Sequence, residues 1–396
     1  MEMTKYKLGD LCRIASSKRI FESEYVEKGV PFIRGQEISD GSILDPKASF
    51  ECYISQSRYE EIKEKYGKPT KGDILITAVG TIGNLCYLDK DIDFYFKDGN
   101  VIWFSEIISS CEGKFLFHFM KSSFFKDQLK YFMIGAVQKA LTIDMLKKVE
   151  VPLPPLSEQK KIASVLSSLD DKIALNKKMN QKLEAMAKRL YDYWFVQYDF
   201  PDKNGRPYKT TGGPMTYNPT LKREIPEGWE VKTIGDYLKI GNGRDHSKLA
   251  DGPYPVYGSG GLMRYVAEYL HDGETVLFPR KGTLNNVMYR NEPLWTVDTM
   301  FYTSVLVPHS ALFVFYSAKM FDFERLNTGT GVPSMTSDII KKLPIISPDR
   351  QTLEQFDKTV AKLYNQIHHN EKEISRLSEQ RDKLLPLLMN GQVEVE

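Results

Sequence analysis

The chain contains two copies of one pattern, and this repeat constrains its fold more than any other feature. The segment LTIDMLKKVEVPLP, which begins at Leu141, resembles MTSDIIKKLPIISP, which begins at Met335. With the same separation along the chain, Ile173 matches Ile367. A shorter match near the two starts pairs YKLGDL with KTIGDY. Two copies are too few for a solenoid, so the repeat predicts a duplicated fold with two related sites.

Each copy has a globular part followed by a long amphipathic segment. DILITAV after Gly72 and ETVLFP after Gly273 are short apolar runs of the kind that form buried strands. The stretch from Lys114 to Phe132 is more helical, because its apolar residues fall on one face. We therefore predict an α+β fold. It has two mostly β domains with flanking helices, separated by two long antiparallel coiled-coil helices in a pseudo-twofold duplication.

Length and composition are those of an ordinary globular protein with two or three domains. The chain has 396 residues, of which 41% are hydrophobic and 27% are charged, and its formal net charge is +2. That charge neither requires nor excludes a nucleic-acid partner, since a basic face can be hidden in a balanced total. The chain start has no apolar signal region, and no apolar run is long enough to span a bilayer. We expect a cytoplasmic protein.

Composition along the chain predicts five segments. A stretch rich in Pro, Gly and Asn lies between the two copies and is typical of a linker. The predicted segments are a first β-rich domain at 1–154, a first long helix at 155–198, a linker at 199–229, a second β-rich domain at 230–347 and a second long helix at 348–392.

The two long segments have heptad-like patterns. Ser157 is a candidate N-cap for the first helix, and prolines 152, 154 and 155 keep that helix from starting earlier. The predicted core positions are Ile162, Leu166, Leu169, Ile173, Asn176, Asn180, Leu183, Ala187, Leu190 and Trp194 in the first helix, and Phe356, Val360, Leu363, Ile367, Asn370, Ile374, Leu377, Arg381, Leu384 and Leu388 in the second.

Helices of this length need a partner, which is either a second chain in a homodimer or the other helix of the same chain. Asn176 and Asn370 hold equivalent core positions near the middle of each helix. In an antiparallel pair the two middles meet, so each amide could satisfy the other and fix the register. We therefore favour antiparallel packing within the chain, with Asn176 opposite Asn370.

Catalytic motifs are missing from the sequence. There is no Walker A ending, no GxSxG, no HExxH and no Asn-Pro-Pro-aromatic signature of adenine methyltransferases. Pro201-Asp202 with Glu230 and Lys232 has the bare spacing of a metal-dependent nuclease motif, but the Asp lies in the predicted linker and the first copy has no counterpart. We expect no catalytic residue and no metal site.

The loops instead carry residue types that read DNA. Arg and Lys pair with guanine or phosphate, and Asn and Gln pair with adenine. Loop residues differ between the copies while the scaffold is repeated, which favours two binding sites of different specificity. The candidate DNA-binding residues are Lys18, Arg19, Arg34, Gln36, Thr81, Asn84, Gln138 and Lys139 in the first copy, and Arg244, His246, Lys248, Tyr257, Ser259, Arg280, Lys281, Asn285, Asn286, Thr328 and Thr330 in the second. A coiled-coil adapter without DNA, or a self-contained nuclease or methyltransferase, are the alternative functions.

Two junction segments resemble the specificity subunits of type I restriction-modification systems. The stretch LTIDMLKKVEVPLPPLSEQKKIASVL resembles the end of a target recognition domain running into a conserved helix of that family, and NGRPYKTTGGPMTYNPTLKREIPEGWE resembles its central connector. The resemblance covers nearly the whole chain. In the second copy SPDRQTLEQF replaces PPLSEQKKI, so the second junction departs from the pattern.

The resemblance implies a function without catalysis in this chain. Each β-rich domain would be a target recognition domain that reads one half of a bipartite site in double-stranded DNA. The helices would set the spacing and dock two modification subunits, which bind S-adenosylmethionine and methylate adenine. Restriction subunits, which use ATP and Mg²⁺, would join that complex. No cofactor is expected in this chain.

Overall fold

A computed structural model describes residues 3–45, 48–133, 140–329 and 331–393 of the chain. The chain divides into two compact units, one formed by Met1–Asn176 with Lys372–Glu396 and the other by Lys177–Glu371. Each unit therefore contains one globular domain together with part of both long helices. Within the described residues, no helix combines the length and apolar character that crossing a membrane requires.

In its described residues the first unit has ten short strands and six α-helices before its long helix. Its strands are β1 (Thr4–Lys7), β2 (Arg13–Ala15), β3 (Tyr25–Val26), β4 (Val30–Ile33), β5 (Tyr53–Ile54), β6 (Ile74–Thr77), β7 (Leu85–Tyr87), β8 (Tyr95–Phe96), β9 (Val101–Ser105) and β10 (Glu150–Leu153). Its helices are α1 (Leu8–Leu11), α2 (Gly35–Ser39), α3 (Gln56–Tyr66), α4 (Gly113–Lys121), α5 (Ser123–Met133) and α6 (Ile143–Lys147), followed by the start of α7 (Leu156–Tyr191).

The second unit repeats this arrangement. After α7, a π-helical turn covers Asp192–Val196. The strands are β11 (Met215–Asn218), β12 (Arg223–Pro226), β13 (Glu230–Thr233), β14 (Leu238–Asn242), β15 (Tyr254–Gly258), β16 (Gly261–Val266), β17 (Glu274–Pro279), β18 (Met288–Asn291), β19 (Trp295–Thr296), β20 (Met300–Val305) and β21 (Pro344–Ser347). The helices are α8 (Ile234–Tyr237), α9 (Ala311–Ala318), α10 (Ser337–Lys341) and α11 (Arg350–Met389).

Strand pairing confirms the duplication. The order β2-β9-β6-β7 in the first unit recurs as β14-β20-β17-β18 in the second. The parallel pair β4 and β8 recurs as β15 and β19. The first and last strands of each domain also pair, β1 with β10 and β13 with β21. The apolar runs that were predicted as buried strands form β6 and β17, which lie inside the four-stranded sheets.

The predicted linker is an ordered part of the second unit. Its strands β11 and β12 form an antiparallel hairpin. Phe200 and Trp229 stack with ring centroids 4.7 Å apart, and both belong to the main core of the unit with Ile225. Proline, glycine and asparagine predicted a linker here, and the aromatic residues among them pack this segment into the core of the unit.

The first long helix begins at Leu156, so the prediction of Ser157 as its N-cap was wrong. The carbonyl of Pro155 accepts the amides of Glu158, at 2.9 Å, and Gln159, at 3.1 Å. The Gln159 side chain, only 1% exposed, donates to the carbonyls of Pro154 and Ser110 and accepts the amide of Glu112 at 2.7 Å. One buried amide thus joins the start of the helix to the loop before α4, because buried polar groups need partners.

The second junction departs from the first in sequence and in structure. Asp349 caps α11: its carboxylate accepts the amide of Thr352 at 2.9 Å and the hydroxyl of Thr352 at 2.6 Å. Leu353 is buried in the core of the second unit. An ordinary carboxylate cap and an apolar contact therefore start the second helix.

The helices run antiparallel within each unit and complete the core of each domain. In the first unit, Ile162 and Leu166 from the start of α7 share a core with Leu385 and Leu388 from the end of α11. In the second unit, the end of α7 and the start of α11 meet in the same way, and the rings of Tyr191 and Phe356 lie 6.3 Å apart. Burying each such side chain stabilises the fold by about 1.5–3 kcal/mol.

The buried asparagine pair is not the predicted one. The Asn370 side chain donates to Asn180 Oδ1 at 2.7 Å, and Asn180 donates to the carbonyl of Ile367 at 3.3 Å. Asn176 is only partly buried. The register prediction placed equivalent residues of the two copies opposite each other. In the antiparallel pair the contact falls one helical turn further along α7, at the next core asparagine.

A charged cluster joins α4 to both helices in the first unit. Asp170 accepts from Lys121 Nζ at 2.8 Å and from Arg381 Nη1 at 2.9 Å. Burial raises the pKa of Asp170, but the two cations outweigh it and hold that pKa below its usual value. His118 is buried, and its Nε2 lies 3.1 Å from Ser167 Oγ. Burial and nearby Lys121 lower the pKa of His118 despite the opposing effect of Asp170.

Removing one asparagine of the observed pair should destabilise the protein, while removing the predicted one should not. Asn370→Ala leaves the Asn180 oxygen buried without its donor, which costs about 1–3 kcal/mol. Asn176→Ala serves as the matched control and should change stability by less than about 0.5 kcal/mol. Urea unfolding midpoints measure both. Equal losses in the two variants would contradict the observed register.

The His118 site should make stability fall in mild acid. The pKa of His118 is lowered in the folded state, so as pH falls below about 6.5 the unfolded chain takes up the proton first and stability declines. Between pH 7.5 and pH 5 we expect a loss of at most about 2 kcal/mol from this group. His118→Asn should show a smaller fall in melting temperature over that range, and the exposed His369→Asn should behave as the unchanged chain. An unaltered pH dependence in His118→Asn would refute the assignment.

Candidate nucleic-acid interface

Loops that carry predicted DNA-binding residues meet at one end of the second domain. The amide of Arg244 donates to the carbonyl of Thr296 at 2.8 Å. The amide of Arg280 donates to the carbonyl of Thr299 at 2.8 Å, and the amide of Lys281 donates to the same carbonyl at 3.2 Å. These bonds join the loops after β14, β17 and β19, so the structure brings Arg244, Arg280 and Lys281 to one surface.

The segment before α10 folds onto the same surface. Met335 donates its amide to the carbonyl of Arg280 at 2.9 Å, and Thr328 donates its amide to the carbonyl of Ser334 at 2.9 Å. The Asn327 side chain accepts the amide of Ser334 at 2.8 Å and so closes the loop. Thr328 is exposed beside Lys281, which bridges to Ser334. Thr330, also predicted to bind DNA, lies outside the described residues.

One asparagine in each domain holds a loop in place. Asn286 Nδ2 donates to the carbonyl of Ser259 at 2.8 Å. At the equivalent position, Asn84 Nδ2 donates to Ser39 Oγ at 2.7 Å. Both asparagines were predicted to read bases. In each domain this amide joins the turn after the central strand to another segment, which is the end of α2 at Ser39 in the first domain and the turn after β15 at Ser259 in the second.

The first domain forms a similar surface. The amide of Ala78 donates to the carbonyl of Asn100 at 2.7 Å, and the amide of Leu141 donates to the carbonyl of Ala78 at 2.9 Å. Thr77 Oγ1 donates to the carbonyl of Thr81, which leaves the Thr81 side chain exposed. The predicted residues Gln138 and Lys139 lie outside the described residues.

The two predicted arginines of the first domain have carboxylate partners. Arg19 Nε donates to Asp98 Oδ2 at 2.8 Å. Arg34 donates to Glu51 and lies 3.6 Å from Glu37. Hydrogen bonding to Glu51 raises the pKa of Arg34 despite partial burial.

The two remaining polar candidates of the first domain contact neighbouring side chains. Lys18 Nζ lies 5.8 Å from the centre of the Tyr66 ring. Gln36 is exposed, and its amide lies 3.4 Å from Asp40. These cations and amides lie near the surface, but each has a partner within the domain.

Three predicted residues of the second domain serve its own structure. Tyr257 is only 4% exposed, its hydroxyl donates to Glu292 at 3.2 Å, and burial raises its pKa. Asn285 accepts the amide of Phe323 at 2.8 Å. His246 is partly buried, and its carbonyl accepts from Arg264 at 3.1 Å. Tyr257 was predicted to bind DNA, and the structure buries its side chain within the domain. Lys248 is exposed in the turn that follows His246.

Apolar residues on these surfaces were missed by a search for polar types. Val79 is 45% exposed in the turn after β6, next to Gly80 with φ of 75°. Leu262 and Met263 are exposed in β16, two or three residues after the Ser259–Gly260 turn. An exposed apolar side chain can contact the methyl group of thymine. The sequence signal that could have predicted these residues is an apolar residue beside glycine in a polar turn.

In the described part of the chain, the acid of the weak nuclease match has a structural role. Asp202, the acid of the weak nuclease match, accepts the amides of Asn204 and Arg206 at 2.8 Å and so closes a turn. These bonds hold the pKa of Asp202 below its usual value. Among the described residues, no group of three or more His, Cys, Asp or Glu side chains is placed to hold a metal ion.

Comparisons with known proteins point to one family. The model described as "Type I restriction modification DNA specificity domain" matches residues 1–185 and 226–378. A type I restriction enzyme MjaIX specificity subunit from Methanocaldococcus jannaschii is 28% identical over 99% of this chain and 97% of its own length. The HindI specificity subunit from Haemophilus influenzae is 23% identical, with coverage of 98% and 99%.

A solved structure supports the fold. A type I restriction-modification S subunit from M. genitalium aligns with a TM-score of 0.63, covering 98% of this chain and 96% of that one. Its sequence identity is 16%, so the likeness concerns the fold alone.

Proposed function

The chain belongs to the type I restriction-modification DNA specificity family, and from this premise we propose that each of its two domains reads one half of a bipartite DNA target. One observation carries the proposal: the same sheet order occurs twice, while the loops at the candidate surface carry different side chains. A repeated scaffold with different loops is what two readers of two sequences require.

In this proposal the exposed loop residues divide into two kinds. Cations such as Arg244 and Lys281 contact phosphate or guanine, and Thr81, Thr328 and similar side chains contact base edges. The asparagines Asn84 and Asn286 position the loops rather than read bases with the donors they already use. Phosphate contacts would give affinity that falls with salt, and base contacts would give the choice of sequence.

Catalysis, in this proposal, belongs to partner subunits. Two modification subunits would bind S-adenosylmethionine and methylate adenines at the selected site, and restriction subunits would supply ATP- and Mg²⁺-dependent cleavage. The two long helices would offer docking surfaces and set the separation of the half-sites. Support for the docking role comes from the family membership and from the exposed polar faces of α7 and α11.

Exchanging one domain should change one half-site only. The ends of the second domain are joined by the pairing of Glu230 with Ser347, so residues 230–347 can be replaced as one piece by the matching segment of a relative with another target. Because the β14-β20-β17-β18 sheet carries its own loops, the new half-site should replace one half of the methylated motif. Sequencing of methylated adenines, in cells that also hold the modification subunits, measures the result.

The reciprocal exchange is the control. The first domain is closed by the pairing of Thr4 with Leu153, so residues 1–154 can be exchanged in the same way and should alter the other half. Deletion of the chain should abolish every motif of the system. Motifs that persist after deletion, or both halves changing together, would contradict the proposal.

Lengthening both helices should lengthen the gap between half-sites. Seven residues inserted after Asn176 and seven after Glu371 keep the heptad seam and add about 10 Å of helix. Since base pairs rise by about 3.4 Å, the spacer should grow by about 3 base pairs while both half-sites stay unchanged. Insertion in α7 alone breaks the antiparallel register and should reduce modification. An unchanged spacer in the double insertion would rule out the measuring role.

A further inference from the structure

Two equivalent arginines have different partners in the two domains. Arg19 follows β2 and Arg244 follows β14, which are matching edge strands of the two four-stranded sheets. Asp98 and Asp298 also match, because each lies two residues after a matching strand, β8 or β19. Arg19 donates to Asp98 at 2.8 Å. Over the residues that the structure describes, Arg244 forms no ion pair with Asp298 or with any other carboxylate.

The backbone around Arg244 is held while its side chain stays exposed. Its amide donates to Thr296, and its carbonyl accepts Trp295 Nε1 at 2.9 Å. The nearby Asp245 is engaged by neutral donors, since Ser247 gives it both an amide at 3.0 Å and a hydroxyl at 2.7 Å. The Arg244 guanidinium therefore extends from a fixed point on the candidate surface, and no carboxylate of the described residues pairs with it.

The turn after the central strand shows the same contrast. In the first domain the exposed side chains of this turn are Val79 and Thr81, which carry no charge. In the second domain they include Arg280 and Lys281, both with amides bonded to the Thr299 carbonyl. Neither cation has a carboxylate partner in the described part of the chain. Within the described residues, the second surface thus has three cations without a carboxylate partner, of which Arg280 lies 5.9 Å from the Phe301 ring. The first surface has a neutral turn, two arginines paired with carboxylates, and Lys18 over the Tyr66 ring.

We propose that the second domain supplies most of the cations that neutralise DNA phosphate, so that the two half-sites are bound with unequal electrostatic contributions. The inference rests on the proposed function. A cation that stays paired with a carboxylate adds no net charge to the surface. It therefore releases few counterions when the surface binds DNA. An unpaired cation on a phosphate releases about 0.9 counterions and steepens the salt dependence of binding.

The test uses the full chain assembled with its modification subunits and a duplex that carries the mapped target. Dissociation constants are measured over a series of salt concentrations, and the slope of log K against log salt is compared between variants. Arg244→Gln, Arg280→Gln and Lys281→Gln should each reduce the slope by up to about 0.9. The matched neutral pair, Arg19→Gln with Asp98→Asn, should leave the slope unchanged.

A variant that adds net positive charge to the first domain tests the same proposal. Asp98→Asn alone frees Arg19, so the slope should steepen by up to about 0.9 and affinity at low salt should rise. Thermal unfolding of each variant checks that the domain still folds.

Three results would overturn the inference. The first is an equal slope change from the first-domain pair and from Arg244→Gln. The second is an unchanged slope in all three second-domain variants. The third is an altered methylated motif with an unchanged slope in Arg280→Gln, which would assign Arg280 to a base. In each case the unsubstituted complex still binds its target. If that complex shows no preference for the target at all, the proposed function itself fails.

Discussion

Each domain depends on a core that the chain cannot close locally. The start of α7 and the end of α11 complete the core of the first unit, and the end of α7 and the start of α11 complete that of the second. Ile162 and Leu388 share one core, and Tyr191 and Phe356 share the other. Because both helices enter both cores, the antiparallel arrangement follows from packing, and the asparagine pair then selects its register.

The two copies use different chemistry at the same contact between domain and helix. When α4 is aligned with α9, Tyr316 is the residue of the second copy that corresponds to His118. In the same way, the repeat makes Tyr364 the equivalent of Asp170. In the first unit this position holds ionic contacts to Asp170. In the second the hydroxyls of Tyr316 and Tyr364 lie 2.9 Å apart, and burial raises the pKa of Tyr316 to about 12. The first contact therefore relies on ionisable groups, whereas the second relies on a pair of tyrosine hydroxyls.

Sequence was sufficient for the architecture because its signals are local and repeated. Strand runs such as DILITAV, the heptads and the matched segments predicted two β-rich domains and both long helices. The register of two helices is a tertiary property, so Asn176 and Asn180 could not be told apart along one helix. Likewise Tyr257 is turned inward by the sheet that surrounds it, and Asn84 and Asn286 are fixed by loops distant in sequence. Residue type indicates what a side chain can bind. Only the fold shows whether that side chain already has a partner within the protein.

The division of the chain has a consequence for the order of folding during synthesis. The second unit, Lys177–Glu371, is one continuous stretch, whereas the first needs Lys372–Glu396 to finish its core. A ribosome makes the first domain first, but Leu385 and Leu388 reach it only after the whole second unit has been translated. The domain that is synthesised first is therefore completed last. Until then it exposes the apolar patch that the end of α11 covers, and a chain cut short near residue 371 would keep that patch open.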